Sequence, residues 1–344
     1  MNDDSFEARS RHYPRLRIAV AGDFFLDRYL HIDPDRAETS IETGLPVHNV
    51  VAVRAQPGAA GTIVSNLVAL GVGAIHVVGF RGDDGEGFEL ERSLRSMPGV
   101  DLTDMLTAPD RRTPVYCKPL VIEPGRPPRE LSRLDAKNWT PTPDRLQQDL
   151  ADRIETLVGR VDALILMDQV DQPETGVVTQ LIRESAHAAM TARRGGLVVA
   201  DSRRGLHDFP PLAFKMNATE LGRMTRANGP LDLDAVMSQA SALSQRNNQP
   251  VFVTLAENGI VGALPGHTPE HVGSFPVRGP IDIVGAGDAV TANLTAALAA
   301  GCDLRQAMAV AMAAASIVIH QLGTTGTAMV PGILDLLGSL PGEG

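Results

Sequence analysis

The sequence predicts an α/β protein built on a central, mostly parallel sheet with helices on both faces. Three observations carry that prediction. From residue 143 onward, short apolar runs alternate with stretches of helical period. The runs are continuous Ala, Val, Ile and Leu rather than alternating with polar residues, as expected of strands buried on both faces. Two β-rich patches, at 28–55 and 113–135, break the alternation and read together as a small sheet lying as a lid over one edge.

The elements follow in order. Residues 1–15 are polar and read as a flexible N-terminal arm, ahead of a single domain over 16–340. Arg17 to Gly22 is a buried strand running into a turn. Apolar spacing predicts a helix from Ala60 to Leu70, stopped by Gly71. Ala74 to Phe80 is the next strand, and the turn Arg81 to Gly87 feeds a helix at 87–97, its carboxylates serving as turn and cap residues. The second patch is interrupted by the Pro-rich hairpin Glu123 to Pro128. Then come helix 143–158 and strand 161–167, helix 173–193 and strand 197–201, helix 232–246 and strand 250–255, and an Ala-rich helical block at 286–339.

Composition bounds the function. Hydrophobic residues make up 43% and charged residues 21%, ordinary for a globular enzyme, while aromatics at 4% leave the core to aliphatic side chains. A net charge of −10 argues against a nucleic-acid partner, which draws a basic footprint, but leaves room for a local basic pocket. Cys117 and Cys302 lie far apart without metal-ligand spacing, which fits a reducing compartment. The segment Met1 to Arg17 holds no apolar signal core, and the longest apolar stretch, Ala307 to Ile319, is too short to span a bilayer. A cytoplasmic protein without membrane contact is the expectation.

The chemistry concentrates in Asp282-Ile283-Val284-Gly285-Ala286-Gly287-Asp288. Small residues before a helix leave backbone N–H groups bare, and the helix N-terminus adds its positive dipole end. Gly285, Ala286 and Gly287 thus form a ready anion hole, with Asp288 in the first helical turn placed to take a proton from an attacking hydroxyl. On these residues alone, a helix cap on a structural turn explains the run about as well.

The run resembles the second signature of the PfkB (ribokinase) carbohydrate kinases, Asp-Thr-x-Gly-Ala-Gly-Asp, with Ile283 in place of the Thr. The resemblance implies a ribokinase-like fold, Asp288 as catalytic base and Asp282 beside a monovalent-cation site such as K⁺. Further matches run in the family's order. Asn217-Ala218-Thr219-Glu220 resembles Asn-x-x-Glu, which implies ATP phosphates and Mg²⁺ held through water by Glu220. Thr254, Glu257 and Gly259 lie in a stretch similar to the family's nucleotide-binding strand and turn.

Gly22-Asp23-Phe24-Phe25-Leu26-Asp27-Arg28-Tyr29 and Ser40 to Val47 are similar to one branch, the D-glycero-β-D-manno-heptose-7-phosphate kinase half of bifunctional ADP-heptose synthases. Asp27 suits bidentate acceptance from two sugar hydroxyls, and Lys118 and Arg133 could neutralise a remote phosphate. The branch's sugar-holding Pro-Gly-Gly-Ala-Ala-Asn stands here as Pro57-Gly58-Ala59-Ala60-Gly61-Thr62, so Gly58, Ala59 and Thr62 are pocket candidates with altered chemistry. Three readings follow: a phosphosugar kinase of the heptose-7-phosphate kind, a kinase of the same family for another sugar, sugar acid or nucleoside, and a binder that kept the fold. The family resemblance also implies a homodimer through the lid.

Overall fold

The computed structural model describes residues 5–192, 196–227 and 229–339. Among the described residues nine strands form the main sheet. From one edge they run Glu270–Val272, Ile260–Ala263, Val251–Thr254, Ala213–Asn217, Leu197–Ser202, Ala163–Asp168, Arg17–Gly22, Ala74–Gly82 and Val100–Ala108. All pairings are parallel except the two at the Glu270 edge. Alternation along each strand divides the core into two layers: Ile18 and Val20 enter one, Ala19 and Ala21 the other. Leu67, Leu94 and the Ala-rich helices after residue 286 fill the first layer, and Leu150, Ile182 and Leu243 the second.

The chain leaves the main sheet at Asp23 and continues as Phe24–Ile32, the heart of a smaller sheet. Its order is Leu134–Ala136, Val115–Val121, Phe24–Ile32, Val50–Ala59. The two patches read as β-rich do come together here. Phe24–Ile32 and Val50–Ala59 are long strands rather than short ones, with a small ribbon of Glu38–Thr39 and Pro46–Val47 between them. Because Tyr29 pairs with Arg54 on one side and Lys118 on the other, these three side chains share one face with Asp27, Gln56 and Tyr116.

Several expectations are corrected. Residues 1–4 lie outside the described chain, but residues 5–15 are not a loose arm. Phe6–Ser10 is a helix, capped by Ser5, and Tyr13–Arg15 a helical turn. Phe6 and Tyr13 are buried, and burial of two aromatic rings stabilises enough to order a short polar segment. Within the described residues the helix expected at 173–193 is Gln180–Ala192, residue 193 lying outside them; it starts late because the preceding residues wrap around the Asp23 carboxylate, which accepts from the Val177 and Gln169 N–H groups at 2.7 and 2.8 Å. The block at 286–339 is three helices, Ala286–Ala299, Leu304–Val318 and Val330–Gly338. Residue 340 falls outside the described chain.

Two residues at the start of helix Ala60–Leu70 show what the local backbone demands. A Cβ on Gly58 would lie 2.7 Å from Asp27 Oδ2, so only glycine lets that carboxylate stand where it does. Its neighbour Ala59 has φ 54° and ψ −117°, a conformation that favours glycine. Such strain costs on the order of 1–3 kcal/mol. Ala59→Gly should therefore stabilise the protein by about 1 kcal/mol once the greater freedom of the unfolded glycine is offset, read as a higher urea midpoint. A lowered midpoint would show that alanine sits there without strain.

Candidate active site

The C-terminal ends of Leu197–Ser202 and Ala213–Asn217 meet the N-terminus of helix Ala286–Ala299. Asp201, at one strand end, accepts hydrogen bonds from Lys215 Nζ at 2.8 Å and from Thr291 Oγ1 at 2.7 Å. Lys215 is buried directly beneath the helix start: a Cβ on Gly287 would come within 3.3 Å of its Nζ. Burial alone would push this ammonium down, but Asp201, then Asp288 and Glu220, outweigh it and raise its pKa. The Asp288 carboxyl is pushed up to about 7, first by burial, then by the charges of Asp201 and, across the cleft, Asp27, against the opposing pull of Lys215. Asp288 nonetheless keeps part of its surface exposed.

Gly285 caps the helix with φ 83°, and Thr325 packs 3.2 Å from where its Cβ would be. Of the three N–H groups expected to form the anion hole, that of Ala286 donates to Ile283 O at 3.2 Å. Those of Gly285, Gly287 and Asp288 have no backbone partner among the described residues, so Gly285 and Gly287 stay available as expected and Asp288 takes the place of Ala286. The Asp282 carboxylate accepts from Val284 N–H at 3.0 Å and Gly323 N–H at 3.3 Å, tying this turn to the one after Leu304–Val318.

Asn217 and Glu220 form a reciprocal capping box on helix Ala218–Thr225. The cap that explained this motif without function is thus real, yet it occupies only Glu220 Oε2, at 2.8 Å from Asn217 N. Burial raises the Glu220 pKa, with Asp201 adding to the shift and the Asn217 N–H and Lys215 opposing it. Thr254 Oγ1 donates to Met216 O at 3.4 Å, in the strand beside it. Glu257 is exposed, and Gly259 is buried at φ 94° because Val272 O lies 2.0 Å from where a Cβ would be.

Opposite stands the smaller sheet. Asp27 is buried at its centre, with Lys118 Nζ 3.2 Å from Oδ1 at an angle that leaves this oxygen without a hydrogen bond. Two candidates fall away from the role expected of them. Thr62 is only 1% exposed and its hydroxyl has no partner, so the side chain offers no surface to a ligand. Both ends of the Arg133 fork are taken by Asp135, at 2.9 and 2.7 Å. Lys215 escaped the sequence reading because a lysine inside an apolar run resembles an ordinary solvated position. The signal was its place two residues before Asn217 on a strand end.

Comparison with known proteins now bears on this geometry. The model of the pfkB family carbohydrate kinases matches residues 26–330. The chain belongs to this family. As a pfkB carbohydrate kinase it is a phosphotransferase acting on a sugar hydroxyl and using ATP, with Mg²⁺ typical of the family. It is 28% identical over 330 residues to the bifunctional protein HldE of Gluconobacter oxydans, covering 95% of this chain and 66% of that one. It is 31% identical over 323 residues to HldE of Gluconacetobacter diazotrophicus, covering 91% and 62%. The chain thus spans somewhat under two thirds of these relatives. In fold it is similar to Arabidopsis thaliana ribokinase complexed with ribose and ATP, with TM-score 0.67, 17% identity and coverage of 94% and 98%. It is likewise similar to Escherichia coli phosphofructokinase-2 in complex with fructose-6-phosphate, with TM-score 0.68, 17% identity and the same coverage. No helix of the described residues is long and apolar enough to cross a membrane.

The raised pKa of Asp288 has a consequence for stability. The folded protein holds this proton more tightly than the unfolded chain, so the carboxyl's contribution worsens as pH climbs from about 4 to about 7 and stays unfavourable above. Asp288→Asn, neutral at every pH, escapes that cost. In the unliganded protein it should raise the melting temperature more at pH 8 than at pH 5. An equal change at both values would mean that the carboxyl titrates normally.

Proposed function

We propose that the chain transfers the γ-phosphoryl group of ATP to a hydroxyl of a phosphosugar of the heptose-7-phosphate kind, with Asp288 as the general base. The observation that carries this reading is one partly exposed carboxyl, held near neutrality, in the first turn of a helix whose Gly285, Gly287 and Asp288 N–H groups have no backbone partner among the described residues. In the step, the hydroxyl proton passes to Asp288 Oδ as the hydroxyl oxygen bonds to phosphorus and the bond to ADP breaks. The N–H groups of Gly285, Gly287 and Asp288 and the Lys215 ammonium stabilise negative charge on the moving phosphoryl oxygens. Asp27, with an unsatisfied buried oxygen, accepts from sugar hydroxyls and orients the acceptor.

Among the described residues no group of three or more His, Cys, Asp and Glu is poised to grip a metal ion. That fits Mg²⁺ carried on the nucleotide and met through water by Glu220, since this ion keeps most of its waters. Bound there, it would neutralise phosphate charge. Asn217, Thr254, Glu257 and Gly259 border the nucleotide in this reading, and the turns joined by Asp282 flank a K⁺ site. The heptose branch draws its support from the HldE relatives, whose own substrates are not carried over by similarity at this level. Ala59 and the closed-off Thr62 favour a second reading, another sugar of the same class.

The test is an ADP-release assay with Mg-ATP across phosphosugars, sugars and nucleosides, with EDTA and K⁺ arms. For the best acceptor, kcat/KM should rise tenfold per pH unit and level off above about 7, as expected when the carboxyl must be ionised. Asp288→Asn should lose ~10²–10⁴ in rate and keep ATP affinity. A variant within a few-fold of the parent would remove Asp288 from this role.

The same reading includes a homodimer through the smaller sheet. Its edge strand Val50–Ala59 exposes the apolar Val50, Val51 and Val53, and its outer edge, unpaired among the described residues, invites a second copy. Sedimentation should give a dimer that Val51→Lys with Val53→Lys converts to monomer, and a monomeric parent would end the proposal.

A further inference from the structure

Resting on the phosphosugar reading, we propose that Arg54 is the residue that recognises the acceptor's remote phosphate, together with Lys118, on a site centred over Tyr29. The argument begins with register. Arg54, Tyr29 and Lys118 lie side by side across three neighbouring strands, on the face of the smaller sheet that carries Asp27. The Arg54 guanidinium lies 3.8 Å from the centre of the Tyr29 ring, and Lys118 Nζ lies 4.8 Å from the same point. Two cations are thereby held about one aromatic ring, their separation limited to what a single dianion can bridge.

Charge pairing singles Arg54 out. Arg133 spends its fork on Asp135, Lys137 is shared between Asp135 and Asp171, and Arg203 faces Asp171. Arg54 alone of this face's arginines meets only neutral oxygens, Gln56 Oε1 at 2.8 Å and Gly323 O at 2.7 Å. Among the described residues it has no carboxylate partner. A half-buried guanidinium with its plane fixed on a ring, and its charge unmatched, is preorganised for a phosphate's oxygens.

Distance agrees. Tyr29 is two residues from Asp27 along the strand, a span of about 7 Å. That is the reach from hydroxyls held by Asp27 to a phosphate on the far carbon of the same sugar. Lys118 already faces the Asp27 carboxylate, so an unphosphorylated acceptor would leave the Arg54 charge unanswered, and the site selects for phosphosugars as a class.

The experiment compares matched pairs, fructose with fructose 6-phosphate and ribose with ribose 5-phosphate, alongside heptose 7-phosphate. It uses the parent, Arg54→Gln and Arg54→Lys, with folding checked by thermal melting. The quantity read is the ratio of kcat/KM for phosphosugar over sugar. In Arg54→Gln this ratio should fall at least tenfold, chiefly through KM, and Arg54→Lys should recover part of it. If Arg54 only props the Gly323 turn, both members of each pair suffer alike and the ratio holds, which overturns this assignment and leaves the phosphosugar reading standing. A parent that shows no preference for phosphosugars overturns that reading, and this assignment with it.

Discussion

A single buried ammonium holds the reacting end of this protein together. Lys215 lies beneath the first turn of Ala286–Ala299, hydrogen-bonded to Asp201 and within the field of Asp288 and Glu220. Asp201 repels both Asp288 and Glu220, and all three carboxylates would repel an approaching nucleotide. The lysine offsets part of that repulsion without neutralising it, because its one close ion pair is with Asp201. Burial first, and then the charge of Asp201 that the lysine only partly offsets, push the Asp288 carboxyl up toward neutrality, as the proposed base requires if it is to alternate between two protonation states near pH 7. Gly287 is part of the same arrangement, since any side chain there would press on the ammonium.

The second constraint is the crossing at Asp23. The chain passes there from the main sheet into the smaller one, and a buried carboxylate fixes the crossing by accepting two backbone N–H groups from the loop after Ala163–Asp168. Burial, with the nearby Asp168, pushes the Asp23 carboxyl up to about 7, against the pull of those N–H groups. Asp168 is balanced in turn by Ser202 and Arg204. This network sets the angle at which Phe24–Ile32 leaves the core, and so the place of Asp27 relative to Asp288. A second tie, from Arg54 and Gln56 to Gly323, Thr324 and Thr325, links the smaller sheet to the turn that packs on Gly285.

Much of this was legible in the sequence because its signals are local. The parallel strands read as apolar runs, Gly71 ended its helix in the left-handed conformation, and Asp84 capped the next through the Gly87 N–H. The Gly-Ala-Gly-Asp run located the helix start and its carboxyl. What was not legible depends on partners far along the chain. Val100–Ala108 is only half-buried, with polar residues interspersed, so it lacks the apolar run of its neighbours. The antiparallel strands Ile260–Ala263 and Glu270–Val272 are too short to show a period. Phe6 and Tyr13 look like isolated aromatics in a charged stretch until the groove that buries them exists. The pairing of Arg133 with Asp135 was written two residues apart, yet only the fold shows that it takes both ends of the fork.

The cleft is thus divided by charge into unlike halves. On the main-sheet side carboxylates gather about one buried lysine, and free N–H groups supply the positive potential that transferred phosphate needs. On the smaller-sheet side cations exceed carboxylates, and one aromatic ring orients two of them. Mobile phosphate and resident phosphate would bind by different means: backbone dipoles at the reacting end, a fixed guanidinium and ammonium at the other. The distinction has a physical basis. A phosphoryl group in transit must be released, and backbone donors hold it without a competing nucleophile or a full ion pair at each oxygen. A phosphate that serves only as a handle loses nothing by meeting full charges, and tighter binding there helps to position the reacting hydroxyl. Asp27 stands between the halves, with Gly58 keeping the space it needs. Under the proposed reading, one sheet's flat face would serve as a ruler, along which the distance from handle to hydroxyl selects the acceptor.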